Sequence, residues 1–341
     1  MYSEYKVRVM KNKNNKIVTV STIAIVLSAI AIMSQIFIFA TSHKNEDEQY
    51  SEILKENFHN FAVPMPKQVI FCGEKVPIEN TFVREALDRE LSYISYQHAS
   101  TFLILKRAYK YFPQIEKILN QQKVPEDLKY LAVAESSLNN AVSPAKAEGF
   151  WQFMPQTAKE YGLIVNNEYD ERYDIEKSAI AACNYLKVSY SRLKKWSLAC
   201  AAYNCGEGGI KARINEQNVN NYWDLALNTE TARYVYKIIA YKIIMQNPQA
   251  YGFFIRPIDC HQPLEYDSIT IDSTINNFYT FAKQIGTEYK YFRIANPQLQ
   301  AKKLTNKEGK KYTFKILNKN SYNWKHLIDK VDDPYKFVES L

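Results

Sequence analysis

The chain has 341 residues, 46% of them hydrophobic and 23% charged, the balance of a globular protein with room for one large or two modest domains. Of its net charge of +8, half lies in residues 1–16, where Lys6, Arg8, Lys11, Lys13 and Lys16 stand against Glu4. The rest is only mildly basic and carries no dense Lys/Arg stripe, which gives nucleic acid no support as a partner, while the scarcity of glycine, 9 residues, argues for a mainly α chain, and 26 tyrosines suggest flat apolar surfaces with a polar tip, useful against sugars.

Residues 17–40 form an almost unbroken apolar run without charge, long enough to span a bilayer as a helix. Basic residues precede it and Glu46-Asp47-Glu48 follows, which predicts a cytoplasmic N-terminus and a chain that continues outside the cytoplasm. The alternative is a cleaved signal peptide, but the run exceeds a usual apolar region and Ile38 is a poor small-residue position before Ala40. The spacing therefore predicts a basic tail at 1–16, an uncleaved anchor at 17–40, and a stalk and approach segment at 41–80. Val63-Pro64-Met65-Pro66 and Val76-Pro77 break regular structure in that segment, and 69–71 reads as a short extended piece.

From 81 to 122 apolar residues recur at helical spacing through Phe82, Ala86, Leu87, Leu91 and Ile94, then Phe102, Leu105, Ala108 and Phe112. Pro113 is expected to begin a new helix there. Pro125, Glu126 and Asp127 open another helix, favoured at the positive end of its dipole. Further helices are expected at 175–193, 196–202 and 229–246. The second ends in Tyr203-Asn204-Cys205-Gly206-Glu207-Gly208-Gly209 and the third at Asn247-Pro248. Beyond Phe254 the composition changes. Residues 266–271 and 311–317 alternate as strands, and 275–285 and 289–295 read as short helices between them.

The chemistry concentrates in 128–157. Leu128, Leu131, Ala132 and Leu138 mark a buried helix face, and Glu135 falls on it, seven residues after Leu128 and four after Leu131. A buried ionised carboxylate is costly unless paired or protonated. Periodicity alone is equally met by a core glutamate paired with Arg or Lys. Small residues with Gly149 follow, then Trp151-Gln152-Phe153-Met154-Pro155, an arrangement suited to a general acid facing a polar, flat substrate. The chain contains no Ser/His/Asp set, phosphate loop or HExxH, and the five cysteines make no CxxC pair. Neither a metal nor a cofactor is expected. Cys183, Cys200 and Cys205 are expected to pack as small apolar residues. A disulfide between Cys72 and Cys260 is left open.

Three motifs resemble a known family. Glu135-Ser136, Ser143 and Ala147-x-Gly149-x-Trp151-Gln152-Phe153-Met154-Pro155-x-Thr157-Ala158 resemble the signature of lytic transglycosylases of the soluble-lytic-transglycosylase, goose-lysozyme-like type. Ala201-Ala202-Tyr203-Asn204-x-Gly206-x-Gly208 resembles their second motif, and Glu230-Thr231-x-x-Tyr234-Val235 their third. The nearest likeness within the family is to the membrane-bound murein transglycosylase D group. The resemblance implies a lysozyme-like helical catalytic domain at 81–255, a small α+β LysM-like module at 265–318 and a C-terminal tail at 319–341. Two departures stand out: Asp272-Ser273-Thr274 replaces the usual Gly-Asp-Thr of LysM modules, and Lys146 stands where a glycine is usual.

By the same resemblance, Glu135 cleaves the MurNAc-β-1,4-GlcNAc bond of peptidoglycan. It first donates a proton to the leaving oxygen, then takes the proton of the muramic acid C6 hydroxyl as that oxygen attacks C1, leaving a 1,6-anhydro end without water or metal. Ser136, Ser143, Gln152, Met154, Tyr203, Asn204 and Glu230 would bind substrate, with Tyr203 steadying the oxocarbenium-like state. Structural readings stand beside these: Ser143 a turn former, Gln152 a core amide, Asn204 a helix cap, Glu230 a first-turn residue. The expected partners are peptidoglycan strands and, through 17–40, a membrane, with the catalytic domain in the periplasm or cell envelope. The alternatives are a lysozyme-type hydrolase, for which Glu148 or Asp174 would serve as second carboxylate, and a non-catalytic peptidoglycan-binding protein.

Overall fold

In a computed structural model of the chain, residues 18–37 and 61–341 are described. The basic tail at 1–16, both edges of the predicted anchor and most of the stalk lie outside the described residues. The chain divides into two units, 1–62 and 63–341.

The first unit contains helix α1, Val18–Phe37, whose 20 residues are long and apolar enough to cross a membrane. A signal sequence near an N-terminus meets the same test. Three of its polar side chains are satisfied within the helix. The hydroxyls of Thr22, Ser28 and Ser34 donate to the carbonyls of Val18, Ala24 and Ala31, each at 2.8 Å, which is what a hydrocarbon surrounding demands.

The second unit is mostly helical. It opens with a hairpin, β1 (Ile70–Phe71) and β2 (Glu74–Lys75), where 69–71 was expected to be extended. Helix α2 (Thr81–Tyr96) starts at Asn80, whose side chain accepts from the Phe82 and Val83 amides, and buries Val83, Leu87, Leu91 and Ile94. Phe82, counted from sequence on the apolar face, is off that stripe and 81% exposed. Helix α3 (His98–Gln121) runs straight through Pro113, so the helix break expected at that proline falls instead at Gln97. Pro113 lies on the exposed side, where water can take the carbonyl it leaves unpaired. Ala108, Phe112, Ile115 and Leu119 continue one buried stripe past it.

A 3-10 turn at Glu126–Leu128 leads into α4 (Lys129–Ser136), with α5 at Pro155–Glu160, α6 at Ile175–Leu193, α7 at Trp196–Cys205, α8 at Glu207–Gln217 and α9 at Thr229–Gln246. Helix α7 keeps Tyr203 and Asn204 in its last turn. Helix α8 was not expected: Gly206, at φ 84°, supplies the turn, while Gly208 and Gly209 sit inside the next helix. The hairpin serves the helices. The Glu74 carboxylate accepts from the Trp196 amide and from the Ser197 hydroxyl at 2.6 Å, which caps α7. The Cys72 amide and Lys242 each donate to Asp127 at 2.7 Å, which ties the hairpin to α9 and to the start of α4. All five cysteines, Cys72 and Cys260 included, are free thiols, and Cys183 and Cys200 are buried.

The C-terminal module pairs β3 (Tyr266–Ile271) antiparallel to β4 (Tyr312–Leu317), from Tyr266 opposite Leu317 to Ile271 opposite Tyr312. Between the strands lie α10 (Phe278–Gln284) and α11 (Tyr289–Ala295). Ile275 pairs with Leu304 before Asn277 caps α10, so this helix starts later than its apolar pattern. Phe278, Phe292 and Phe314 form a core of their own. Asn296, fully buried, accepts from the Lys315 amide at 2.8 Å and donates to the Lys315 carbonyl at 2.7 Å, so its amide acts as a short strand beside β4. The last segment, expected to be a tail, contains α12 (Trp324–Ile328). Its end packs on the main core: the Leu341 amide donates to the Met245 carbonyl at 2.8 Å, and Tyr130 donates to the Leu341 carbonyl at 3.0 Å.

Candidate active site

Glu135 sits in the last turn of α4, a short helix in which Tyr130 to Ala134 are all buried. Part of its surface is open, the rest enclosed. From α9, the Tyr234 hydroxyl donates to Glu135 Oε1. Burial pushes the Glu135 carboxyl up to about 7, against the Tyr234 hydrogen bond and the charge of Lys237, which pull it down. The negative charge of Glu230 adds a smaller upward push. Lys237 lies one turn beyond Tyr234 and donates to the Ala134 carbonyl at 2.6 Å. Its own ammonium is held below the usual range by burial. Glu135 is thus a carboxylic acid poised to be protonated near neutrality, with one oxygen bonded and the other unclaimed by that contact.

The loop from Ser137 to Phe153 is built against backbone preference. Ser137, Leu138, Lys146 and Gln152 have φ of 54°, 56°, 67° and 47°, a region L-residues seldom occupy. The Lys146 position is therefore the left-handed one that its glycine alternative would suit. Arg172 holds the loop. Its guanidinium donates to the carbonyls of Lys146 at 3.0 Å and Phe153 at 3.1 Å, and pairs with Asp170 at 2.6 Å and Glu148 at 3.0 Å. Gly149 passes so close that an added Cβ would lie 1.9 Å from the Arg172 carbonyl oxygen, and only glycine fits there.

The three motifs close into a triangle. Tyr234 of the third reaches Glu135 of the first. Tyr203 of the second donates to the Trp151 carbonyl of the first at 2.7 Å. Asn204 of the second donates to Glu230 at 2.9 Å and accepts from the Thr231 hydroxyl at 2.7 Å, both in the third. Burial drives the Tyr203 phenol upward, and the charge of nearby Glu135 adds to it, so Tyr203 stays a neutral hydroxyl.

Of the other expected substrate-binding residues, Ser136, Ser143 and Gln152 are engaged with backbone. Ser136 is buried and donates to the Ala132 carbonyl at 3.1 Å. Ser143 accepts from the Ala147 amide at 2.9 Å. Gln152 donates to the carbonyls of Ala141 at 3.0 Å and Gly149 at 2.8 Å. Met154, 43% exposed, precedes α5. From the sequence Tyr234 is visible only as a residue of the third motif, with no assigned place at the site, and neither Lys237 nor Arg172 stands out. Tyr234 and Lys237, at positions four and seven after Glu230, are polar groups on the inner side of an apolar helix, a signal of the same kind as Glu135. Arg172 lay hidden in a charged stretch that reads as a surface turn.

Residues 113–226 match the Transglycosylase SLT domain family, and residues 267–320 match the Soluble lytic transglycosylase C-terminal LysM-like domain. The expected family resemblance, mainly helical fold and LysM-like module are borne out. The chain is 34% identical over 195 residues to membrane-bound lytic murein transglycosylase D of Escherichia coli K12, covering 53% of this chain and 41% of the relative. It is equally similar to the protein of that name from E. coli O6:H1. The chain thus spans about two fifths of the length of these curated relatives. A solved structure, an inactive mutant of lytic transglycosylase Slt from Pseudomonas aeruginosa, matches with a TM-score of 0.35 and 20% identity, covering 44% of this chain and 25% of that one.

Proposed function

We propose that this SLT-domain chain is a peptidoglycan lytic transglycosylase in which Glu135 serves in turn as acid and base. The observation that carries the reading is the Glu135 carboxyl, raised to about 7 by burial and hydrogen-bonded by Tyr234. A neutral acid can protonate the glycosidic oxygen as the C1–O4 bond breaks. The carboxylate so formed is stabilised by the Tyr234 hydroxyl, and it accepts the proton of the C6 hydroxyl as O6 bonds to C1. Proton and bond counts balance without water. Tyr203, neutral and within electrostatic reach of Glu135, would turn an oxygen lone pair to developing positive charge while its proton stays hydrogen-bonded to the Trp151 carbonyl. Ser136, Ser143, Gln152, Met154, Asn204 and Glu230 would bind the glycan, Ser143 and Gln152 chiefly by shaping the loop.

A hydrolase would need a second carboxylate free to activate water. The two considered are occupied: Glu148 pairs with buried Arg172, and Asp174 caps α6 by accepting from the Glu176 and Lys177 amides. We further propose that α1 anchors the chain, with the second unit on the periplasmic or envelope side, and that the LysM-like module contacts glycan. Digestion of purified murein followed by mass spectrometry tests the reaction. Products ending in 1,6-anhydro-muramic acid are expected, with Glu135→Gln slower by about 10²–10⁴-fold. Reducing ends would establish hydrolysis, and wild type no faster than Glu135→Gln would leave a binding protein.

A further inference from the structure

A short segment, residues 166–172, belongs to two structures at once. On one side it is part of the C-terminal module. Tyr169 is fully buried in the module's core among Phe278, Phe292, Leu299 and Phe314, with its ring edge-on to Tyr312 at 4.9 Å. The backbone pairs as a strand would: the Asp170 amide donates to the Gln298 carbonyl at 2.8 Å, and the Gln300 amide to the Glu168 carbonyl at 2.9 Å. The Glu168 carboxylate accepts from the Thr305 amide at 2.6 Å. On the other side, one and three residues after Tyr169, Asp170 and Arg172 form the buried pair that grips the Lys146 and Phe153 carbonyls.

An arginine can fix a strained loop only if its own backbone is fixed. The Arg172 backbone lies in a three-residue 3-10 turn, Glu171–Tyr173, too short to hold itself. Upstream it is held by Glu171, which exchanges hydrogen bonds with the Ile164 backbone at 2.8 and 2.7 Å, and by the Tyr169 side chain sunk into the module. We infer that the C-terminal module is a positioning element of the active site: seated on Tyr169, it holds Arg172 in place, and through Arg172 the loop that carries Gln152. Tyr169 is accordingly a positioning residue that acts on a site whose proton-transfer group is more than thirty positions away in sequence. The module's role here is independent of whether it binds glycan. The activity arm of the test rests on the transglycosylase reading; the structural arm does not.

The experiment uses the full chain with Tyr169→Ala, Tyr169→Phe and Glu168→Ala, and reads hydrogen exchange by mass spectrometry together with murein cleavage. In Tyr169→Ala, amides of 141–153 are expected to exchange about tenfold faster, with α9 unchanged and kcat/KM lower by about tenfold. Tyr169→Phe keeps the ring and is expected to restore both. Faster exchange confined to 265–318, with 141–153 at wild-type rates, overturns the inference. Should Tyr169→Ala not fold, Glu168→Ala, which removes contacts to Thr305 and Lys303, is expected to quicken 141–153 by roughly threefold; no change there overturns it equally. A loop that loosens in a protein with no wild-type turnover would sink the transglycosylase reading and leave this one standing.

Discussion

The two walls of the site are held by different physics. The Glu135 wall is a pair of packed helices, α4 and α9, in which Tyr130, Leu131, Val235, Ile238 and Ile239 are all buried. Such a wall is secured by area removed from water, spread over many side chains. The opposite wall is the 137–153 loop, with four non-glycine residues at positive φ and one buried guanidinium joining two carbonyls to two carboxylates. Leu138, Phe150, Trp151 and Phe153 of this loop also enter the core, but the turn between them rests on a few polar contacts, and the backbone strain opposes them. Glu135 is thus mounted on the less strained wall, and the positive-φ turn at Lys146 depends most on one side chain, Arg172.

Arg172→Ala should expose that asymmetry most strongly. It leaves Asp170 and Glu148 unpaired, and the Arg172 and Asp170 side chains are only 4% and 5% exposed. Breaking a buried pair in this way costs about 3–5 kcal/mol. Thermal unfolding should show that loss, and activity should fall further than the stability loss explains, because the loop is released. A variant that loses less than about 1 kcal/mol would place the loop's support elsewhere.

The same contrast governs what could be read from the sequence. Helices α6, α9 and α11 and strand β3 appear with their expected ends, because each is an apolar pattern closed by local signals such as Asp174 before α6 and Asn247-Pro248 after α9. Glu135 was legible for the same reason: a carboxylate on an apolar stripe is a local anomaly. The Lys146 anomaly was legible as a departure from a usual glycine, whereas its consequence was not: the lysine itself takes the positive φ. What was not legible depends on partners far along the chain. Arg172 looks like any surface charge until the Lys146 and Phe153 carbonyls are placed beside it. Tyr169 belongs to a core built a hundred residues later. Helix α8 was obscured by its own glycines, and Pro113 misled because its exposed position, which makes it tolerable within α3, is a tertiary property.

The Glu135 wall can be probed by pH without any substrate. The Glu135 carboxyl is near 4.5 when unfolded and about 7 when folded, so the folded state favours the protonated form. No stability is lost to this group below about pH 4.5. A penalty then grows as pH rises and levels off above about 7. Glu135→Gln removes the titration, so its stability relative to wild type should improve from pH 4.5 to 7 by up to roughly 3 kcal/mol. Urea unfolding of the two proteins at pH 4.5, 6 and 8 measures it, and a difference independent of pH would mean that folding leaves the Glu135 titration unshifted.

Tyr234→Phe should act on the same wall with a smaller effect. A hydrogen bond to a charged group contributes about 1.5–3 kcal/mol, and this one favours the carboxylate. Its loss should move the alkaline limb of the pH–rate profile upward and slow the step in which the carboxylate must be stabilised. Lys237→Met should shift that limb in the same direction, because the lysine charge also lowers the Glu135 value. A limb that stays in place in both variants would remove Glu135 as the group that titrates.

Lys146→Gly is the mildest change and the most discriminating for the loop wall. At φ 67° a side chain costs roughly 1–2 kcal/mol that glycine does not. Glycine gives back roughly 0.5–1 kcal/mol through the greater freedom of the unfolded chain. The variant should therefore be more stable by up to about 1 kcal/mol, whereas Lys146→Ala, which keeps the strain, should stay within about 0.5 kcal/mol of wild type. The Lys146 carbonyl is still there for Arg172 in both, so the loop geometry should survive. If Lys146→Gly is stabilised and cleaves murein at the wild-type rate, the lysine is a tolerated departure and Arg172 alone holds the turn. If both variants lose activity to the same extent, the exposed Lys146 ammonium itself meets the substrate, and this wall contributes charge to binding as well as shape.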